Sequence, residues 1–385
     1  MGLRVLRYPR IIIGGFIALA TLSVMNSAYS NILETIKGEL ALSYTQSGAL
    51  MSSYFLGYML GQIPWGIIAD KYGSKPAISA SVLGVSLSTF VFGFSEGITM
   101  AVISRFLGGL LGAGVFVPSV RLVSSWFTSK ERGTALGILN IGGSIGLIAA
   151  SWAASFLNLS LGWRFSLRII GLFGVGSAAL IWMLLRDNES AEYGSIDLSS
   201  LPFGDRRFWI LAVSQFIRLG SYYTFIAWLP LIMREEFGFS VIMTSTAMSL
   251  FNTAGIFSNP LGGVTSDRIG ERNVLLLSFG LLGLIVLTLT SGTSSLIIYS
   301  SVFLIGWFIN FVRSPAFTII PNTFGAESSG SISGIHNTFA ALGALAIPFS
   351  LGFIRDYSAG YTLGWVTVSA LALFCSSILL LLKND

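Results

Sequence analysis

Charge is what this chain has least of. Only 10% of its 385 residues are Asp, Glu, Lys or Arg, whereas an ordinary soluble domain carries about a quarter and needs them for its surface. That shortage excludes a water-facing globular enzyme. Cysteine is almost missing too: the lone Cys375 excludes an internal disulfide and leaves the redox compartment unread. Histidine is limited to His336. No P-loop, metal-ligand spacing or nucleophile constellation occurs, and "GLLGAG" at 109–114 follows no strand of the kind a phosphate cradle requires. No cofactor, no metal and no enzymatic activity are expected.

What fills the chain instead is apolar. It is 53% hydrophobic with a mean hydropathy of +0.78. Runs of about 20 apolar residues, enough to cross roughly 30 Å of hydrocarbon as a helix, recur from end to end. Twelve are readable: 11–33, 47–69, 76–95, 98–121, 133–157, 164–185, 208–232, 241–265, 273–291, 296–320, 329–353 and 361–382. Uninterrupted runs this apolar cannot alternate as barrel strands, and each must satisfy its backbone internally, so the expected class is an all-α integral membrane protein with twelve transmembrane helices. The 44 glycines suit close helix packing in a bilayer.

The start, "MGLRVLRYPRIIIGGFIALATLSVMNSAYS", has the basic and apolar regions of a secretory signal. It also has an internal counterpart, Arg207 to Pro230, which a cleaved signal would lack, so it reads as the first span. Basic residues gather at alternate loops. By these spans thirteen of the 22, Arg4, Arg7, Arg10, Lys71, Lys75, Lys130, Arg132, Arg186, Arg206, Arg207, Arg268, Arg272 and Lys383, share one side; only Lys37, Arg164, Arg234 and Arg355 lie on the other. Positive charge resists translocation, which makes the richer side, with both termini, cytoplasmic in a cell membrane. The net charge of +5 is accounted for in this way without a nucleic-acid partner.

A repeat orders the chain. "GIIADKYGSK" at 66–75 and "GVTSDRIGER" at 263–272 share Gly-x-x-x-Asp-basic-x-Gly at an offset of 197 residues. The same offset lays "GTALGILNIGGSIG" (133–146) on "GSISGIHNTFAALG" (330–343), Pro118 on Pro315 and Phe127 on Phe324. One offset over most of the chain gives two homologous bundles of six helices, 1–185 and 208–385, joined by a cytoplasmic linker, "RDNESAEYGSIDLSSLPFGDRR" at 186–207. Six is even, so both bundles run the same way through the membrane as a parallel repeat.

These motifs resemble those of the major facilitator superfamily over the whole length. The first Gly-x-x-x-Asp-basic-x-Gly stretch is similar to that family's signature loop and the second to its weaker copy; "RFLGGLLGAG" (105–114) resembles the fourth-helix motif and "SKERGTALG" (129–137) the entry to helix 5. The resemblance implies two pseudo-symmetric six-helix bundles and transport by alternating access. It also gives Arg105 a packing or coupling role. There are departures: the first loop has Ser74 before Lys75 where two basic residues are usual, and "GILNIGGSIG" lacks the proline typical of drug/proton antiporters. The two loops read either as gating latches, with Asp70 and Asp267 accepting hydrogen bonds from a helix N-terminus and Lys71 and Arg268 reaching headgroups, or as solvated turns. Gly73 and Gly270 close them.

Charge inside the bilayer costs at least about 2.5 kcal/mol and marks function. Arg218 is the sharpest case, ten residues past Phe208 and thus about 15 Å into its helix. Gln215 and Tyr222 share its face at helical spacing. Arg313, before Pro315, either lines the cavity or snorkels to the interface. Arg121 and Arg168 lie near helix ends, an interfacial position. No Asp or Glu occupies the middle of any span. A buried guanidinium without a carboxylate leaves a positive site that suits an anion held bidentately. Asn26, Tyr29, Asn140, Asn252 and Asn337 offer orienting hydrogen bonds or plain helix packing. His336 could carry a coupling proton or be a satisfied structural residue.

The reading that joins these features is a secondary transporter of a small anion, a carboxylate or organic phosphate, coupled by proton symport or by exchange for a counter-anion. It would act as a monomer in the lipid bilayer. Rival readings are an inorganic oxyanion (nitrate-type) exchanger, an exporter of drug-like or neutral solutes, and a membrane sensor, for whose signalling domain the short loops leave no room.

Overall fold

The computed structural model describes residues 8–188, 202–290, 294–324, 329–358 and 360–382. Most of the linker expected at 186–207, together with Arg4, Arg7 and Lys383, lies outside them. Among the described residues there is no strand. The helices run α1 (Pro9–Ser27), α2 (Leu33–Glu39), α3 (Tyr44–Tyr72), α4 (Ser74–Phe92), α5 (Ile98–Gly112), α6 (Phe116–Trp126), α7 (Ser129–Leu184), α8 (Arg206–Glu235), α9 (Val241–Ile269), α10 (Glu271–Leu287), α11 (Ser295–Phe311), α12 (Arg313–Phe324), α13 (Ser329–Tyr357) and α14 (Thr362–Leu379). Among the described residues ten stretches are long and apolar enough to cross a membrane. Twelve crossings are consistent with this, because α7 is really two helices broken at Gly162 (φ 77°) and α3 adds 29 residues.

Local chemistry explains where helices start and bend. Ser240 and Ser294 accept from Met243 N and Ile297 N at the heads of α9 and α11, and Thr128 with Glu131 forms a capping box for α7. Asp205 caps α8 through Arg207 N, and its hydrogen bond to the Arg207 guanidinium holds its carboxyl below the usual range. Pro118 and Pro315, matched by the repeat, are each the third residue after a break, between α5 and α6 and between α11 and α12. A proline has no N–H to give and its ring displaces the carbonyl four residues back, so spans expected as single helices are bent.

The first span is also interrupted, by a 3₁₀ turn over Ala28–Ile32. There Ser30 Oγ and Asn31 Nδ2 both donate to Ser27 O, at 2.8 and 2.9 Å, in competition with the helical ladder. Its counterpart α8 runs unbroken.

Contacts divide the chain into two compact units, Met1–Leu42 with Ala49–Tyr193, and Ser43–Gly48 with Gly194–Asp385. In unit 1, α1 packs on α7 and α4 on α7 and α5; in unit 2, α8 packs on α13 and α10 on α14 and α11. The repeat is therefore visible as the same helix pairing inside each unit. A Cβ on Gly109 would run into Tyr54 O, and one on Gly306 into Phe251 O, which are the equivalent positions 197 residues on. Gly73 and Gly270 have φ of 95° and 84°, a left-handed turn that only glycine adopts without strain. Within unit 2 the segment Ser43–Gly48 is held by Asp356, which accepts from Tyr44 N and Thr45 N at 2.9 and 2.7 Å, and Glu235 accepts from the hydroxyls of Tyr44 and Tyr361.

Candidate functional site

In unit 2 the predicted residues Gln215, Arg218, Tyr222 and Arg313 come together. Helical spacing puts Gln215 one turn before Arg218, and its Oε1 accepts from Arg218 Nε at 2.8 Å. Its Nε2 donates to Ala316 O at 2.9 Å, which ties α8 to α12. Arg218 is 6% exposed, its guanidinium 5.7 Å from the Phe317 ring. Among the described residues no carboxylate pairs with it, and its two terminal nitrogens donate to no group. Arg313 is the like charge that acts on Arg218, and both act on Tyr222 and Tyr223. The break before α12 makes Arg313 the first residue of that helix, which places a second cation one turn from the Ala316 carbonyl that Gln215 holds. Tyr222 lies edge-on to Tyr223 at 5.1 Å and against Phe251 at 6.0 Å. Two cations, two tyrosines and an amide are groups that can bond an anion carrying hydroxyls.

Unit 1 gathers Asn26, Tyr29 and Arg105 differently. Arg105 is 4% exposed. It donates from Nε to Leu50 O at 3.1 Å and from an NH2 group to Asn26 Oδ1 at 3.1 Å and Met51 Sδ at 3.9 Å. The Tyr29 and Tyr54 rings lie 4.1 and 4.6 Å from its carbon, so the cation sits between two aromatic faces. This arginine is already satisfied.

The remaining predicted residues are dispersed. Asn140 and Asn252 bond carbonyls one turn back in their own helices, Leu136 O and Met248 O. Asn337 is half-buried in α13. His336 is buried against Phe208, its Nε2 3.1 Å from Phe208 O, while among the described residues its Nδ1 has no partner. Nδ1 is therefore the ring atom open to a proton.

The signature loop is wired within unit 1. Asp70 pairs with Arg121, which the sequence placed at the interface; Lys71 lies over Tyr72; and Asp267 and Arg268 are exposed. The N-terminus of α4 is capped by Asp187, whose carboxylate accepts from Ser74 N at 2.8 Å and Lys75 N at 3.0 Å. Asp187 fills the space that a side chain at Gly73 would need. Trp126 Nε1 and Asn188 Nδ2 add hydrogen bonds to Arg186 O and Ser125 O. Sequence reasoning missed Asp187 because it stood in a linker. It missed Asn310, 8% exposed beside Gly255, although its spacing of three from Arg313 was a usable signal. Among the described residues no group of three His, Cys, Asp or Glu could hold a metal.

Known proteins align with nearly the whole chain. A "Probable galactarate/D-glucarate transporter" of Escherichia coli K12 is 26% identical, covering 90% of this chain and 88% of its own length. A "Probable sulfoacetate transporter" of Cupriavidus necator is 24% identical (87% and 84%), and a "Hexuronate transporter" of Bacillus subtilis 168 is 23% identical (91% and 88%). Among solved structures a bacterial homologue of the human lysosomal transporter Spinster superposes with a TM-score of 0.82 at 16% identity, over 97% of this chain and 96% of that one, a likeness of fold. The chain is a multi-pass membrane protein, and with the family model matching residues 11–348 it belongs to the Major Facilitator Superfamily.

Proposed function

We propose that this protein carries a small organic anion, a hydroxylated carboxylate of the sugar-acid class, across the cell membrane by alternating access. The observation that carries the reading is Arg218, a buried guanidinium whose terminal nitrogens have no acceptor among the described residues. Such a group binds a carboxylate with two parallel hydrogen bonds, and Tyr222, Tyr223 and Gln215 suit the hydroxyls of the same molecule. The names of the relatives, transporters of galactarate, glucarate, sulfoacetate and hexuronate, support an anion. Asn26, Tyr29, Asn140, Asn252 and Asn337 take secondary, orienting roles.

Coupling is by proton symport or anion exchange. His336 Nδ1, a buried ring nitrogen with no partner among the described residues, is the group to test for the proton. The bundles 1–185 and 208–385 move as the two working parts of a monomer, with both termini cytoplasmic. The loops Asp70, Lys71, Gly73 and Asp267, Arg268, Gly270 gate the change, and Arg105 supports it from within unit 1.

The test is uptake by purified protein in liposomes, screened across hexarates, hexonates, hexuronates, sulfonates, neutral sugars and organic cations, with and without a pH gradient. Saturable uptake of acids but not of the matching neutral sugars is expected. Uptake of neutral sugars or cations in their place would sink the proposal. A pH gradient that drives accumulation in wild type but not in His336→Gln would assign the proton; accumulation driven only by a preloaded anion would assign exchange.

A further inference from the structure

A groove of about 510 Å³ runs between α4 and α5 of unit 1, lined by none of the residues proposed to hold the cargo. Its floor is made of small buried residues, Gly84 and Ser88 of α4 and Ser104 of α5. Leu87, Val91 and Ile103, 47%, 43% and 53% exposed, form its walls. On the floor Ser88 Oγ donates to Ser104 O. The lining is otherwise mostly aliphatic and carries no charged side chain.

The groove leads to a cation. On α4 the lining residues 84, 87, 88 and 91 fall on one stripe, and Phe94 continues that stripe just past the helix end. The Arg168 guanidinium lies 3.7 Å from the centre of the Phe94 ring and donates from Nε to Gly93 O at 2.9 Å. Among the described residues no carboxylate pairs with Arg168, and its terminal nitrogens remain available. From Gly84 to Phe94 is ten residues, about 15 Å along a helix, which is half of a hydrocarbon core of roughly 30 Å. Phe92 ends a membrane-crossing helix, so Arg168 stands at headgroup level.

A concave apolar trough that ends at Val91 and Thr99, with a guanidinium at Phe94 three residues further on, has the order of parts of a glycerophospholipid. We propose that the α4–α5 groove seats one acyl chain of such a lipid and that its phosphate pairs with Arg168. Hydrophobic contact fills the trough, and the charge-assisted bond fixes the headgroup. The site is separate from the transport residues and stands whatever the cargo is.

The full chain in phosphatidylcholine nanodiscs, doped with phosphatidylglycerol bearing a photoactivatable diazirine in mid-chain, tests this. Labelling concentrated on residues 87–107 is expected. Leu87→Trp, which fills the trough from an exposed wall, removes most of that labelling, while Phe173→Trp, 70% exposed on α7, leaves it unchanged. Arg168→Gln lowers it about fivefold, from the roughly 1 kcal/mol of one cation near lipid phosphate, with Arg168→Lys between the two. A diacylglycerol with the same diazirine chain, lacking phosphate, labels weakly. Label spread evenly over the exposed apolar surface, including Phe173 and Met183, or unaltered labelling in both Leu87→Trp and Arg168→Gln, would overturn the proposal.

Discussion

Two buried arginines, one in each unit, show how different the same side chain can be inside one membrane protein. Arg105 is closed in by two tyrosine faces, a carbonyl, an amide and a thioether. Arg218 donates once, to Gln215, and keeps its terminal nitrogens free of any described acceptor. At the repeat-related positions stand Val302 and Thr21, so neither arginine has a counterpart in the other half. The lesson is that burial alone does not mark a binding group. What sets Arg218, the residue proposed to hold the anion, apart from Arg105 is hydrogen-bonding capacity left over after the protein has been satisfied.

That contrast can be broken by experiment. Arg218→Lys keeps the charge but loses the planar fork, and uptake of the transported anion should fall about thirtyfold, equivalent to roughly 2 kcal/mol, in protein that inserts and folds normally. Unchanged uptake would remove Arg218 from the site. Arg105→Lys should do the reverse: a lysine keeps the cation but cannot bond Leu50 O and Asn26 Oδ1 through a planar fork while lying between two rings, so stability should fall by about 2 kcal/mol, while transport per folded molecule falls less than in Arg218→Lys. Equal losses of transport in the two variants would erase the distinction. Gln215→Leu leaves Arg218 Nε and Ala316 O without their partner, and a tenfold rise in the half-saturating substrate concentration, about 1.4 kcal/mol, is expected. Gly306→Ala pushes α11 from Phe251 O and should cost about 1 kcal/mol of stability. Gly334→Ala, where a Cβ meets nothing within 4 Å, should cost nothing measurable. Asp70→Asn should also have little effect: its side chain is 68% exposed, so losing the Arg121 pair should change stability by less than about 0.5 kcal/mol. Any effect there should be on the rate of exchange.

Most of the fold was readable because membrane insertion writes itself into length and hydropathy, and the 197-residue offset needed only identities such as Asp70 with Asp267. Arg218 was readable for the same reason: a charge in an apolar run cannot hide. Gln215 followed from spacing. The break at Arg313 was foreshadowed by Pro315, yet its position two residues earlier depended on which carbonyl the ring displaces. Other features lay beyond the sequence because they join distant residues. Nothing local says that Asp356 will hold Tyr44, 312 positions away, or that Asp187 will cap α4. For Arg105 the family resemblance implied a packing or coupling role, and the two tyrosine rings that hold its guanidinium join residues 29, 54 and 105, which no local pattern connects.

The glycines at 109 and 306, and at 146 and 343, each bring one helix axis so near another that a carbonyl oxygen fills the room of a methyl group. After an ancestral half was doubled, substitutions at these places would have wedged helices apart, whereas arginines, tyrosines and amides facing open space could diverge. A carrier built this way can change what it recognises by altering side chains in one half, and leave untouched the bare ribs on which both halves are strung.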